Sequence, residues 1–429
     1  MDTTHQRNLL VWGLLVSAFS LTGYAAGAQS PGASSPAPDT EITVPDGFAA
    51  TVFAGETGPA RHIAIRENGD VFVALREPRA GKGVVALRDT DGDHRADTLE
   101  RFGEVSGTGI ALYKGYLYFG TRDSVVRFPM KPEALTPSGP PELVAQLPEQ
   151  HTHTAKPVDF DGAGHLYVNV GGPSNACQEE SRTPGSPGLR PCPQLERHAG
   201  IWRFDAMKTG QQQTSGHRYA TGLRNCVAMA WHHEADALYV VMHGRDQLNT
   251  LFPEHFNDKD NAELPAEAFY RLHDGSDCVW PYTYWDGRKN MRVLAPEYGG
   301  DGDKAPEPGK YEAPIQVFPA HWAPNDLVFY TGAMFPDRYQ GGAFIAWHGS
   351  WNRAPLPQRG FKVTFTPMKN GGVTDDYEVF ADGSAGREPV RSPGQAKYRP
   401  MGLAVAPDGA LFVADSQRGR IWRIRYEGE

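Results

Sequence analysis

Several kinds of protein are excluded by what these 429 residues lack. There is no G-x-S-x-G elbow, no Walker-type phosphate loop and no G-x-G-x-x-G turn. Serine hydrolase, nucleotide hydrolase and nicotinamide enzyme therefore have no local support. Positive charge is short as well. The formal net charge is −9, and a main partner made of nucleic acid needs a basic field. His232-His233, followed by Glu234, lacks the H-E-x-x-H spacing of a zinc site and reads as a solvated hairpin turn. No long helical period appears anywhere. The longest apolar run, residues 9–21, is short for crossing a bilayer.

That run follows Arg7 and precedes Ala26-Gly27-Ala28, the pattern of a secretory leader over residues 1–28. A Pro/Ser/Ala linker follows at 29–40. The expected location is periplasmic or secreted, with no stable membrane insertion once the leader is cleaved. Cysteine is scarce, at four residues. In an exported chain four cysteines suggest two disulfides in one of three connectivities. Cys177–Cys192 would staple a Pro/Gly-rich loop, which leaves Cys226–Cys278 as the second pair. Glycine (48) and proline (35) are plentiful without a collagen-like period, as suits many turns between short strands.

What is present is one unit, repeated. In VDFDGAGHLYVNVGG (158–172) near-alternate apolar residues flank a Gly-containing turn, the pattern of a β-hairpin. Copies occur at HIAIRENGDVFVALR (62–76), GIALYKGYLYFGTR (109–122), VAMAWHHEADALYVVMHGR (227–245) and MGLAVAPDGALFVADSQ (401–417). A stretched copy lies at 326–350. Such a sheet unit cannot bury both faces alone, and stacking six copies around an axis solves that. The predicted fold is all-β, a six-bladed β-propeller over residues 41–429. The segment ITVPDGFAATVFA (42–54) is expected to pair beside IWRIRY (421–426) and close the ring, removing the exposed edges of an open sheet.

Antiparallel hairpins bring the start of each first strand and the end of each second to one rim. Arg61, Arg76, Arg122, His151, His153, Lys156, Arg224 and Asn225 are expected there. So are His243-Gly244-Arg245, the segment 321–324, the segment 348–353 and Lys397-Tyr398-Arg399. Carboxylates are scarce in this set. Converging cations repel unless an anion sits among them, so the mouth should bind a compact, multiply negative ligand.

At these residues the chain resembles the soluble PQQ-dependent sugar dehydrogenases, notably their sorbosone and pyranose dehydrogenase branch. The resemblance rests on HTAKPVDFDGAGHLYVNVGG, GLRNCVAMAW, HGRD, CVWPY, HGSWNR and KYRPMGLAVAPDG, in that order. It implies PQQ, a tricarboxylated ortho-quinone, as cofactor, and oxidation of an aldose, pyranose or sorbosone-like sugar. It also implies His153 as the base and Arg224 as the stabiliser of charge on the quinone oxygen. Asn225, Lys397 and Arg399, with Trp351, Asn352 and Arg353, become cofactor contacts beside the Arg61 of the rim. Gly244 and Arg245 fall where the family offers backbone carbonyls to a calcium ion near PQQ. Lys397 stands where the glucose branch has arginine, and Arg245 where it has proline. No C-x-x-C-H haem site is present, so electrons would leave to an external acceptor, a quinone or cytochrome.

Asp89, Asp91, Asp93 and Asp97 space carboxylates as in the first half of a calcium loop, and read equally as a solvated turn between blades. Two rival functions stand beside the dehydrogenase. A metal-dependent lactonase-type propeller would place Glu, Asp and Asn around its axis. A non-catalytic propeller would bind sugars or proteins without a cofactor.

Overall fold

The computed structural model describes residues 37–428. The expected leader, and the linker as far as residue 36, lie outside the described residues. Asp39, counted with the linker, accepts hydrogen bonds from Arg420 and from the Trp422 indole, both at 2.9 Å.

Six small sheets, antiparallel except for a short parallel outer strand on the second and third, make a six-bladed β-propeller. Their innermost strands are Ala60–Ile65, Ile110–Tyr113, Val158–Phe160, Ala228–His232, Pro324–Phe329 and Pro400–Val405. Each pairs with the next strand in sequence, and the register follows the apolar alternation: Val158 faces Val168, and Phe160 faces Leu166. The sixth sheet is closed by the N-terminal strand Phe48–Ala54. This strand lies antiparallel to Ile421–Tyr426, with Ala50 opposite Ile424 and Val52 opposite Trp422. The ring thus has no open seam, as the sequence leads one to expect.

The core is divided among the six contacts between neighbouring blades, because each sheet is apolar on both faces. Tyr113 of the second blade stacks on Phe160 of the third with ring centres 4.3 Å apart, and Tyr167 of the third stacks on Trp231 of the fourth at 5.0 Å. Each such side chain contributes about 1.5–3 kcal/mol through burial alone. Two buried carboxylates stitch innermost strands together. Asp159 accepts the Trp231 amide at 2.7 Å, and Asp326 accepts the Leu403 amide at 2.8 Å. The channel around them, on the side where the inner hairpins turn, is a cavity of about 610 Å³. His232, expected in a solvated turn, is instead buried, its ring 4.5 Å from that of Phe329, because the strand Ala228–His232 runs one residue past the turn the sequence suggests.

Long connections from the third, fourth and fifth blades rise on the opposite face. One is closed by the expected Cys177–Cys192 disulfide, whose ends are 15 residues apart. Replacing both cysteines with serine is expected to cost about 3 kcal/mol through loop-closure entropy, read as a lower urea midpoint. The second expected disulfide is not formed. Cys226 and Cys278 are free buried thiols in one apolar cluster with Leu223 and Tyr270, where they pack as small hydrophobic side chains. Among the described residues no helix is long and apolar enough to cross a membrane.

Candidate active site

The connection entering the third blade carries His153 in a left-handed conformation, φ +52°. Gln150 holds this turn: its amide nitrogen donates to the carbonyls of Thr152 at 2.7 Å, His153 at 2.8 Å and Gly171 at 3.3 Å. A Cβ on Gly171 would come within 2.7 Å of the His153 Cβ, so glycine is required for the close approach. His153 Nδ1 lies 2.6 Å from the Gly172 carbonyl. A carbonyl only accepts, so Nδ1 carries the hydrogen and Nε2 is left as a lone pair. Burial, and then the charge of Arg224, push the pKa of this ring down to about 3. The imidazole is neutral over the whole physiological range.

Arg224 is held from three directions. Its guanidinium donates to Asn175 through Nε and Nη2, to the Gly244 carbonyl at 2.8 Å and to Asp246 at 2.9 Å. Burial works against the charge on Asp246, but Arg224, His321 and Arg182 outweigh it and hold the carboxyl well below the usual range. The second Asp246 oxygen accepts Asn352 Nδ2 at 2.6 Å. Glu267 lies alongside, accepting the amides of Gly244 at 2.8 Å and Ala323 at 3.1 Å, while burial raises its pKa to about 7. His153, Arg224, Asn225 and Asn352 line a cavity of about 120 Å³ with these two acids. The sequence pattern missed both acids, although Asp246 completes the conspicuous HGRD motif.

A second group gathers beside this cavity. Among the described residues the Arg61 guanidinium meets only the Met401 sulfur, through Nη1 at 3.1 Å, and its Nε is buried without a partner. Arg399 donates to the carbonyls of His348 and Gly349, and to His348 Nδ1 at 2.8 Å. Arg76 is largely exposed, with Glu77 at 3.9 Å as its acid. Burial and the charges of Arg76 and Arg399 lower the pKa of Arg61 to about 10; burial and Arg76 lower that of Arg399 to about 10. Neither Arg61 nor Arg399 forms an ion pair among the described residues. The same field, added to burial, pushes His348 well below the normal histidine range. The cluster is cationic and incomplete.

A family model described as TrAA12-like matches residues 42–283 and 298–427. The chain belongs to this family. An uncharacterised protein of Borreliella burgdorferi is 24% identical to the TrAA12-like chain over 401 residues, covering 90% of it and 91% of the relative. A PQQ-dependent pyranose dehydrogenase of Coprinopsis cinerea is 27% identical over 193 residues, 38% of this chain and 25% of that protein. The holo structure of the PQQ domain of the Coprinopsis cinerea pyranose dehydrogenase superposes with a TM-score of 0.68 at 20% identity. It covers 92% of the chain and 99% of that domain. The likeness to PQQ-dependent sugar dehydrogenases read from the sequence is matched by these relatives.

Not every predicted residue reaches the TrAA12-like site. Lys397 is paired with Glu41, which also accepts the Tyr398 hydroxyl, so its ammonium is neutralised outside the arginine cluster. Arg353 is buried and donates to Ala262, Pro357 and Glu263, with its charge spent on that acid. Trp351 is 54% exposed on its loop. Lys156 is buried, donating to the Thr154 carbonyl, and burial brings its pKa down to about 7. Of the two carbonyls expected to hold calcium, one fits poorly: the Gly244 oxygen faces the Arg224 guanidinium, where a divalent cation would meet a fixed positive charge. The Arg245 guanidinium is buried against Glu297. Oxygens of Asp89, Asp91 and Asp97 do converge, while Asp93 stays outside that group. Backbone amides of the same loop, Gly92 and His94, occupy Asp89, and Thr90 occupies Asp97.

Proposed function

We propose that this chain is an exported PQQ-dependent dehydrogenase. It oxidises an aldose, pyranose or sorbosone-like sugar and passes the electrons to an external acceptor, a quinone or cytochrome. The observation that carries the reading is the crowding of Arg61, Arg76 and Arg399: Glu77 near Arg61 and Asp415 near Arg399 do not offset burial and mutual repulsion, and neither Arg61 nor Arg399 forms an ion pair among the described residues. A ligand with several carboxylates supplies the missing charge, and the orphaned Arg61 Nε supplies a donor aimed at no protein atom. PQQ has that character, and when bound it supplies an ortho-quinone able to accept a hydride. The pyranose dehydrogenase relative, whose name couples PQQ with a sugar, supports the same substrate class.

The protein's own part is proton handling and orientation. His153 offers Nε2 as a neutral base that can take the hydroxyl proton of the sugar carbon being oxidised. Arg224, held by Asn175 and Asp246, keeps positive charge at the cavity wall, where charge developing during the reaction needs it. Export is supported by the leader-like residues 1–28 and by the Cys177–Cys192 disulfide, a bond at home in oxidising compartments.

The lactonase alternative needs free oxygen ligands for a metal. Asp246 is instead ion-paired with Arg224 and Arg182, whose charge opposes a metal cation, and both Glu267 oxygens accept main-chain amides. The test is to titrate PQQ into the purified apoprotein and follow the cofactor absorbance, with and without calcium. A saturable change near one equivalent is expected, and calcium should make no difference, because the Gly244 oxygen is occupied. A spectrum that stays that of free PQQ would remove the reading.

A further inference from the structure

The site divides into two halves of opposite hydrogen-bonding character. The arginine cluster presents donors. The 120 Å³ cavity beside His153 presents acceptors that lack partners among the described residues: Asn352 Oδ1 and Asn225 Oδ1 are both buried and unpaired. The orientation of Asn352 is decided by chemistry. Its Nδ2 donates to Asp246 at 2.6 Å, and a carboxylate cannot receive the amide oxygen in its place. The main chain of Asn352 is held too, its amide by Ser350 Oγ at 3.2 Å and its carbonyl by Asn261 Nδ2 at 2.8 Å. The side chain cannot turn to satisfy Oδ1 elsewhere. An unmade hydrogen bond at a buried acceptor is expensive, so Oδ1 takes a donor from whatever fills the cavity: water in the free protein, and in the complex a ligand group that can replace it.

PQQ carboxylate and quinone oxygens are acceptors and cannot serve, and its one donor, the pyrrole N–H, is part of the fused ring body. A sugar hydroxyl can. The volume agrees: at ~30 Å³ per water the cavity holds about four waters, enough for a hydroxyl-bearing carbon and too small for a fused tricyclic cofactor. We propose that Asn352 determines specificity by accepting a hydrogen bond from the hydroxyl next to the carbon that His153 deprotonates. Within the proposed class the substrates are then aldoses with a free hydroxyl beside the oxidised carbon, in preference to 2-keto sugars of the sorbosone type, and Asn352 belongs to the sugar rather than to the cofactor wall where the sequence resemblance puts it. This inference rests on the dehydrogenase reading above.

The experiment compares kcat/KM of the PQQ-loaded protein for a panel of aldopyranoses, each beside its 2-deoxy form, in wild type and in Asn352→Leu. PQQ affinity is measured separately by absorbance titration. Wild type should prefer the parent sugar by about 10- to 100-fold, since the deoxy analogue leaves one buried acceptor unpaired. In Asn352→Leu that preference should fall to within about 3-fold, with PQQ affinity unchanged. Should the leucine variant melt early, Asn352→Ser serves in its place. A wild type that treats both forms alike overturns the inference alone. So does a variant that keeps the preference, or one that loses PQQ affinity. A wild type that takes up no PQQ, or oxidises no aldopyranose, overturns the dehydrogenase reading together with it.

Discussion

Replacing His153 with glutamine is expected to lower kcat by at least about 100-fold, the effect of losing a general base, while PQQ affinity stays within about 3-fold of wild type. Glutamine is close in length and can still donate to the Gly172 carbonyl, but it has no atom that accepts a proton at neutral pH. The left-handed backbone at this position costs glutamine little more than it costs histidine, and the Gln150 clamp holds main-chain atoms that the substitution leaves in place. Stability should therefore change little. Cofactor affinity should hold because His153 lies in the acceptor-rich cavity and not among the arginines. Steady-state rates with a dye acceptor, beside an absorbance titration, separate the two quantities. Turnover within about threefold of wild type would remove His153 as the base.

How much of this was legible in the sequence depended on the range of the interaction. The blades were, because Val158 opposite Val168 and Phe160 opposite Leu166 are decided by alternation across one short turn. Ring closure was legible for a similar reason: the only strand-like segment before the first hairpin had one free edge to join, beside Ile421–Tyr426. The destinations of single cations were not. Lys397 pairs with an acid 356 positions away, Arg353 with one 90 away and Arg245 with one 52 away, and each pair depends on how a loop travels across the rim. Strand periodicity says nothing about such paths. The expectation of an acid-poor mouth failed in the same way. Asp246 and Glu267 enter the cavity from the two ends of a connection that leaves the fourth blade and returns to it, and no repeat covers that stretch. The Cys226–Cys278 pairing came by elimination. Elimination carries no geometry, and both thiols pack as core.

Arg61→Met is expected to move cofactor affinity and apoprotein stability in opposite directions. A charge-assisted hydrogen bond is worth about 1.5–3 kcal/mol, so PQQ binding should weaken by roughly 10- to 100-fold. The apoprotein, by contrast, should gain about 1 kcal/mol. The sign follows from linkage. The folded-state pKa of Arg61 is lowered from 12.5 to about 10, by burial first and then by Arg76 and Arg399, so keeping the group charged in the fold costs stability at every pH below that value, including pH 7. Methionine keeps the aliphatic stem packed near Met401 and removes the charge. A rise in the urea midpoint of the apoprotein together with weaker PQQ titration is the expected result. A fall in both would make Arg61 a structural residue and remove the uncompensated cluster as the basis for an anionic cofactor. The reasoning generalises to Arg399 only in part, because that side chain also supports the loop at His348 and Gly349, and its loss should destabilise the fold as well as the complex. Arg61, bound to the protein by a sulfur contact alone, is where a site kept ready for an anion can be told apart from a site that merely holds the fold together.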